Sequence, residues 1–271
     1  MSIHFHQLVV KEVKKETPDC ISVSFHVPEH LKETFTYTQG QNITLKKVLS
    51  GEEVRRSYSI CTSPQENLLK VAIKKAEAGL FSSWANENLK PGDTLDVLPP
   101  TGKFYTLLDP SHKKNYLAFA AGSGITPVIS IIKSTLQTEA QSSFTLVYGN
   151  RSRSSIIFFE ELEGLKNKYM ERLNLIHVLS RKKTDVPVNA GRINADKCFE
   201  LKQYLVDVKS MDEIFICGPE QMIFEVKEWL EKEGIDKGKI HFELFTAPGQ
   251  RQPAVLITQS AVETGPKSKI T

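Results

Sequence analysis

The chain has 271 residues, of which 40% are hydrophobic and 25% charged. This composition is typical of a globular protein with one large domain or two of ordinary size. Lys and Arg number 35 against 32 Asp and Glu, so the charge balance favours neither nucleic acid nor a membrane surface as a partner. No stretch approaches the roughly 18 apolar residues of a membrane helix, and the N-terminus lacks the order of a signal peptide. We therefore expect a cytoplasmic protein.

The cysteines do not form a local zinc or plant-type iron–sulfur site, because no two of them stand at CxxC spacing. In a cytoplasmic protein we expect free thiols, most of them in the core, and we predict that this chain holds no metal. The four are Cys20, Cys61, Cys198 and Cys217.

The first half of the chain, to about residue 107, contains short alternating segments separated by turn residues. Together with one helical stretch at 81–88, these segments predict a small antiparallel β-barrel. The predicted strands are 7–13, 22–27, 41–45, 56–60, 68–74 and 94–98.

From about residue 114, apolar runs alternate with helical segments, which predicts a doubly wound α/β domain with a parallel sheet. The predicted strands are 116–121, 144–148, 173–178, 213–217 and 241–244, and the predicted helices are 127–138, 155–168, 195–205 and 220–233. A polar stretch with a proline at 109–114 marks the boundary, giving domains 1–108 and 109–246. Residues 247–271 have the composition of a linker, with one potential strand at 255–257.

A glycine-rich loop after the first parallel strand has the context of a dinucleotide site. Gly122 and Gly124 would let the backbone approach a pyrophosphate, and the start of the next helix would attract the anion. Thr126 is expected at the N-cap and Pro127 at the first helical position. The third glycine of the usual motif is absent, so an ordinary strand-to-helix turn remains an alternative.

The ends of the other parallel strands add candidate residues. The second strand ends at Arg151 with no nearby acid, and the third is followed by Ser180 and Arg181, which suits the extra phosphate of NADPH better than NADH. A solvated charge run is the alternative. The fourth ends at Cys217, which Gly218 and Pro219 would leave facing the crevice beside the nicotinamide. The alternative for Cys217 is a small apolar strand cap.

Two segments of the first half have the residue types of a flavin site. The run from Arg56 through Ser57 and Tyr58 to Ser59 combines a cation, an aromatic ring and hydroxyls, and bonding a ring from this strand would need a twist or bulge. The run Gly79-Leu80-Phe81-Ser82-Ser83 opens a helix in a way that would cradle a second pyrophosphate.

The order of these motifs resembles the ferredoxin–NADP reductase superfamily over residues 1 to about 250. In that family the barrel binds FAD and the α/β domain binds NAD(P)H, which delivers a hydride to the flavin; electrons then leave singly. The motifs that carry the resemblance are Arg56-x-Tyr58-Ser59, Gly79-x-x-Ser82-Ser83, Gly122-x-Gly124-x-Thr126-Pro127, Tyr148-Gly149-Asn150-Arg151, Cys217-Gly218-Pro219 and Glu243-x-Phe245.

The resemblance also implies roles for single residues. Arg56 would contact the FAD pyrophosphate, Tyr58 would stack on the isoalloxazine, and Ser59 would lie near flavin N5. Glu243 and Phe245 would close the nicotinamide face of the flavin. The candidate catalytic residues are Ser59, Cys217 and Glu243. The candidate cofactor-binding residues are these three with Arg56, Ser57, Tyr58, Ile73, Lys74, Gly79, Ser82, Ser83, Gly122, Gly124, Thr126, Pro127, Arg151, Ser180, Arg181, Gly218, Pro219 and Phe245.

Within the superfamily the chain resembles the reductase components of phenylacetyl-CoA epoxidase complexes. That family continues into a plant-type [2Fe–2S] ferredoxin domain, whose cysteines are missing here, so we expect a truncated chain. Its partners would be a ferredoxin-type domain or protein and an oxygenase component. A stand-alone ferredoxin or flavodoxin reductase and a non-redox nucleotide-binding regulator remain alternatives, whereas a flavohaemoglobin would need a globin for which there is no room before residue 5.

Overall fold

A computed structural model describes residues 4–181 and 186–245. The first half forms a six-stranded antiparallel sheet with strand order β4-β3-β6-β1-β2-β5. The sheet closes into a barrel, because the segment after β4 bridges β5 through Ile60 and Val71. Its elements are β1 (His6–Thr17), β2 (Cys20–His26), β3 (Asn42–Leu49), β4 (Glu52–Ser59), β5 (Leu69–Lys74), α1 (Leu80–Asn88) and β6 (Thr94–Val97).

The second half is a five-stranded parallel sheet with order β11-β10-β7-β8-β9. The order reverses between β7 and β10, which is where ligands of such sheets bind. Its strands are β7 (Asn115–Ala121), β8 (Ser143–Asn150), β9 (Leu173–Leu179), β10 (Glu213–Gly218) and β11 (Ile240–Leu244). Its helices are α2 (Ile125–Thr138), α3 (Phe159–Lys168), α4 (Ala195–Tyr204) and α5 (Glu220–Lys232).

The two halves share a hydrophobic core. Helix α2 is buried at every position from Ile125 to Leu136, because it lies between the parallel sheet and the barrel. The apolar cluster around it includes Cys61 and Phe104 from the first half. Continuous burial of this kind holds the barrel and the α/β domain together as packed layers.

The predicted architecture, an antiparallel barrel followed by a doubly wound domain, is confirmed. Several boundaries differ from the predictions. Helix α3 begins at Phe159 rather than near residue 155, since Phe158 adopts a left-handed backbone with φ of 62° that interrupts the helix. Helix α2 begins at Ile125 with Gly124 as its N-cap, so the prediction that Thr126 caps this helix and Pro127 starts it is wrong. A short 3₁₀ turn at Gly122–Gly124 supplies the entry instead.

Strand β4 pairs with β3 in continuous register from Glu52 to Ser59. This continuous register leaves no bulge between these two fully described strands. No described helix has the length and apolar character needed to cross a membrane. The potential strand at 255–257 lies outside the described residues.

Candidate functional site

A cleft of about 760 Å³ opens at the carboxyl ends of the parallel strands, where the strand order reverses. One wall is the loop after β7 with the end of β10, and the opposite wall comes from the barrel at Lys74 and Lys75. Eight of the predicted cofactor-binding residues line the cleft, so the fold gathers candidates that lie far apart in the sequence. They are Lys74, Gly122, Arg151, Ser180, Arg181, Gly218, Pro219 and Phe245.

Two glycines permit the close approach that shapes this cleft. A Cβ on Gly124 would lie 2.0 Å from the backbone oxygen of Cys217, and one on Gly218 would lie 2.7 Å from the Met222 side chain. The first contact is with backbone that cannot move aside, so only glycine fits at Gly124. The loop after β7 therefore packs directly on the end of β10.

Hydrogen bonds fix the loop in this position. Gly122 has a left-handed φ of 53°, and its carbonyl accepts a hydrogen bond of 2.9 Å from the Tyr148 hydroxyl. The buried Thr126 hydroxyl donates to the carbonyl of Ser123 at 2.9 Å. No side chain caps the start of α2, and the N–H of Ile125 donates to the carbonyls of Gly122 and Ser123. The loop is therefore held by its own hydrogen bonds.

The far end of the cleft is basic. The chain after β9 stays beside the end of β8, since Ser180 and Arg181 donate backbone hydrogen bonds of 2.9 Å to Asn150 and Arg151 respectively. Both arginine side chains are exposed at the rim. Arg192, which sequence reasoning missed, also lines this end. In the sequence, only the preceding glycine, Gly191, indicated a turn at this position. In the structure Gly191 has a φ of 105°.

The flavin motif lies on the barrel beside α1. Tyr58 is half-buried, and its ring centroid lies 5.9 Å from that of Phe81. Burial raises the pKa of the Tyr58 phenol. The exposed Ser57 hydroxyl lies 2.8 Å from that of Thr44, and the half-buried Arg56 guanidinium is bonded to the backbone of Arg55 at 2.6 Å. Tyr58 thus presents a fixed aromatic face, with Arg56 on the same side of the strand.

The second predicted phosphate loop is a tight turn at the start of α1. The Ser82 hydroxyl accepts a hydrogen bond of 3.0 Å from the N–H of Ala76 and donates to the carbonyl of Gly79 at 3.2 Å. A Cβ on Gly79 would lie 2.4 Å from this hydroxyl. Ser82 therefore shapes the turn, whereas Ser83 is half-exposed at the helix start. The N-cap of α1 has no side-chain hydrogen bond, which leaves backbone donors for an anion.

Ser59 and Glu243 join the two halves of the site. The buried Ser59 hydroxyl, at the end of β4, donates to Oε2 of Glu243 on β11 across 3.3 Å. Burial raises the pKa of Glu243 to about 7, although hydrogen bonds from Ser59 and Asn42 act in the opposite direction. A carboxyl that gains and loses its proton near neutral pH therefore lies between the barrel and the last strand of the parallel sheet.

Two candidates take different positions from those expected. The Cys217 side chain does not face the crevice: it is fully buried, and burial, followed by the nearby Glu243 carboxylate, raises the pKa of its thiol well above the usual value. Gly218 and Pro219 line the cleft in its place. Ile73 is also fully buried, in the barrel core, and its carbonyl accepts a hydrogen bond of 3.0 Å from Asn86.

The residues that line the cleft fit a nucleotide. Gly124 lets the loop after β7 pack on the backbone of Cys217, and Gly218 lines the cleft without a side chain. Asn150, 8% exposed and lining the cleft, lies beside the Tyr148 hydroxyl, yet its Nδ2 has no hydrogen-bond partner of ordinary geometry among the described residues. A buried amide donor without a partner is rare and fits an acceptor on a bound ligand. The fold and this site define a flavin- and nicotinamide-binding oxidoreductase.

Comparison with known proteins follows the same division of the chain. Residues 7–105 match the family described as the oxidoreductase FAD-binding domain, and residues 119–228 match the oxidoreductase NAD-binding domain. The chain is 42% identical over 256 residues to one of the subunits of the 1,2-phenylacetyl-CoA epoxidase from Escherichia coli K12, an alignment that covers 94% of this chain and 72% of that protein. The match that the motifs predicted is therefore confirmed.

Two further comparisons, with a reductase component and with a solved reductase structure, agree with this match. The ferredoxin reductase component of 3-ketosteroid-9-alpha-monooxygenase from Rhodococcus rhodochrous is 38% identical and covers 89% of this chain, which spans 65% of that protein. The structure of a ferredoxin–NADP⁺ reductase from Plasmodium falciparum shares the fold, with a TM-score of 0.74, 23% identity and coverage of 89% of this chain and 96% of that one. The chain belongs to the ferredoxin reductase-like family of FAD- and NAD(P)-binding oxidoreductases.

Proposed function

We propose that this chain takes a hydride from NADPH onto FAD and passes electrons singly to an iron–sulfur domain or protein that serves an oxygenase. The observation that carries the proposal is the bond between Ser59 and Glu243. It joins the flavin motif of the barrel to the last strand of the nicotinamide domain, so both nucleotide sites open at one place. FAD, when bound, supplies the conversion of a two-electron donor into single electrons.

The roles of this chain's own residues follow from their positions. Tyr58 offers its ring as a stacking face, and Arg56 and the start of α1 offer a cation and backbone donors to a pyrophosphate. Ser59 and Glu243 hold a proton at the junction of the two sites, because the pKa of Glu243 is about 7. Orientation of two rings in contact supplies much of the rate of such a transfer, and no side chain need act as a strong acid or base.

The preference for NADPH rests on the basic end of the cleft. Arg181 and Arg151 lie at the rim with Ser180 beside them. Among the described residues that line the cleft, no Asp or Glu is adjacent in sequence to either arginine. A guanidinium suits a ribose phosphate, whereas a carboxylate would suit an unmodified ribose hydroxyl. NADH remains the weaker donor under this proposal.

The partner and the location belong to the same proposal. The relatives with 42% and 38% identity are named as a component of an epoxidase and the reductase component of a monooxygenase, which supports an oxygenase as the final acceptor. The chain spans 72% and 65% of their lengths. The four free and buried cysteines favour a cytoplasmic location. We place the domain boundary between residues 108 and 109.

The proposal is tested by following NADPH oxidation with two acceptors. The protein reconstituted with FAD is expected to reduce ferricyanide, a one-electron acceptor, and an added plant-type [2Fe–2S] ferredoxin. Oxidation of NADPH that delivers electrons only to oxygen, with neither acceptor reduced, would contradict single-electron delivery.

A further inference from the structure

Helix α2 connects the two nucleotide sites physically. Its first turn follows the Gly122–Gly124 loop of the nicotinamide cleft, and its later turns contact the barrel segment that follows the flavin motif. Lys133 lies about 12 Å along the helix from Ile125, at about 1.5 Å per residue. In the barrel, Cys61 stands only two positions after Ser59.

The contact between helix and barrel is polar and buried. The Ser130 hydroxyl donates a hydrogen bond of 2.6 Å to the carbonyl of Thr62, and both residues are 0% exposed. One turn further, the Lys133 ammonium, 3% exposed, donates to the carbonyl of Cys61 at 3.2 Å. In the next turn, Ser63 donates to the side chain of Gln137 at 2.8 Å. These contacts follow one face of the helix.

Lys133 also closes a charge network between the halves. Its ammonium pairs with Glu66 of the barrel at 3.1 Å and with Glu161 of α3. Glu161 pairs in turn with Lys70 of β5 at 3.6 Å. Displacement of the helix would leave the buried ammonium without its carboxylate partners, which is costly, so the network opposes movement of α2 along the barrel.

We propose that Ser130 and Lys133 are positioning residues that set the separation and angle between the two nucleotide sites; this inference rests on the proposed function. Neither side chain lines the cleft. Both act through the backbone, because they hold the helix that carries the nucleotide loop against the segment that continues from Ser59. A shift of the helix along the barrel would move one ring relative to the other without removing a ligand contact.

The same helix contains a matched control. Ser134 is 1% exposed, and its hydroxyl donates at 2.8 Å to the carbonyl of Ser130, within the helix. Ser130→Ala and Ser134→Ala therefore each delete one buried serine hydroxyl of α2. Only Ser130→Ala removes a hydrogen bond between the domains. Lys133→Met is a second variant that breaks the charge network.

The first readout separates position from binding. In Ser130→Ala, the limiting rate of flavin reduction at saturating NADPH is expected to fall about 10-fold, since a displacement of 1 Å can lower a rate by up to about 100-fold. The half-saturating NADPH concentration and the dissociation constant of FAD from the apoprotein should stay within about 2-fold, because their contacts remain. Ser134→Ala should match the wild type. Equal limiting rates in the two serine variants would overturn the inference.

The second readout does not depend on activity. Spin labels at Val48→Cys on the barrel and Tyr204→Cys on α4 would occupy positions 61% and 73% exposed, whereas the four native cysteines are buried. The distance distribution between them is expected to broaden in Ser130→Ala and Lys133→Met and to remain narrow in Ser134→Ala. Superimposable distributions would refute the positioning role. If neither NADPH nor NADH reduces the flavin of the wild-type protein, the proposed function is refuted. The distances between the spin labels would still decide whether Ser130 and Lys133 are positioning residues.

Discussion

Ser59 and Glu243 share a hydrogen bond of 3.3 Å although they are 184 positions apart in the chain. Ser59 ends a barrel strand, and Glu243 belongs to the last strand of the parallel sheet. The bond places a carboxyl with a pKa of about 7 between the barrel and the parallel sheet, where we propose that the two nucleotide sites meet. Because the carboxyl is poised to change protonation near neutral pH, it has a measurable pH signature.

Replacement of Glu243 with Gln should change how stability depends on pH. The folded-state pKa of about 7 lies above the ordinary value of 4.5, so the folded protein binds the extra proton. The stabilisation from protonated Glu243 is therefore complete below about pH 4.5 and is lost as pH rises to about 7. Relative to wild type, Glu243→Gln should gain roughly 3 kcal/mol between these limits. Urea unfolding of the apoprotein at several pH values measures it, and parallel profiles for the two proteins would be inconsistent with the raised pKa.

Arg56→Ala should weaken FAD binding. Arg56 shares a strand face with Tyr58, and loss of a charge-assisted bond to a pyrophosphate should raise the dissociation constant roughly 10- to 100-fold. Titration of the apoprotein with FAD measures this effect. Arg55→Ala is the control, since Arg55 pairs with Glu53 at 2.6 Å and lies over the Phe5 ring. Unchanged FAD affinity in Arg56→Ala would remove Arg56 from the flavin site.

Arg181→Ala should affect NADPH far more than NADH. Only NADPH carries the extra phosphate, so its KM should rise about 10-fold or more while that of NADH hardly changes. Arg153→Ala is the matched control, because Arg153 stacks over Phe159 at 4.5 Å and lies outside the cleft lining. Equal rises in KM for both nucleotides would show that Arg181 does not recognise the phosphate.

Gly124→Ala should damage the nicotinamide cleft. The added Cβ would lie 2.0 Å from the Cys217 backbone oxygen, and such overpacking costs about 1–3 kcal/mol in stability. Gly164→Ala on α3 provides the contrast, since nothing lies within 4 Å of its Cβ and the change should stabilise by about 0.5–1 kcal/mol. Thermal unfolding and NADP⁺ binding measure both variants. A Gly124→Ala protein that binds NADP⁺ normally would mean that the loop packs differently.

Local sequence patterns were sufficient to predict the architecture. Apolar alternation located the six described strands of the barrel, and apolar runs located the five described strands of the parallel sheet, because the former bury one face and the latter both. The glycine loop was recognisable from its position between a predicted strand and a predicted helix. Gly122 is required by its left-handed φ of 53°, whereas Gly124 is required by the distant backbone of Cys217. Boundaries were less accurate where a single backbone angle decides them, as at Phe158, whose left-handed φ no residue pattern indicates.

Features of the site that depend on packing between the halves could not be read from the sequence. Lys133 resembles any lysine of an amphipathic helix, and its burial follows from the barrel covering that face. Cys217 ends an apolar run, and it is buried because its side chain belongs to the apolar cluster around α2. Arg192 reaches the cleft because Ala190 bridges to Leu179 and brings the chain back beside β9, a pairing between distant residues.

The central claim, that this chain binds FAD and accepts electrons from a nicotinamide nucleotide, is tested most directly by a visible spectrum of the FAD-reconstituted protein. NADPH or NADH is added without oxygen, and the flavin bands are followed. We expect a bound-flavin spectrum that bleaches with NADPH and more slowly with NADH. A protein that shows no flavin bands after reconstitution, or whose bands persist with both donors, would contradict the account and favour a nucleotide-binding regulator.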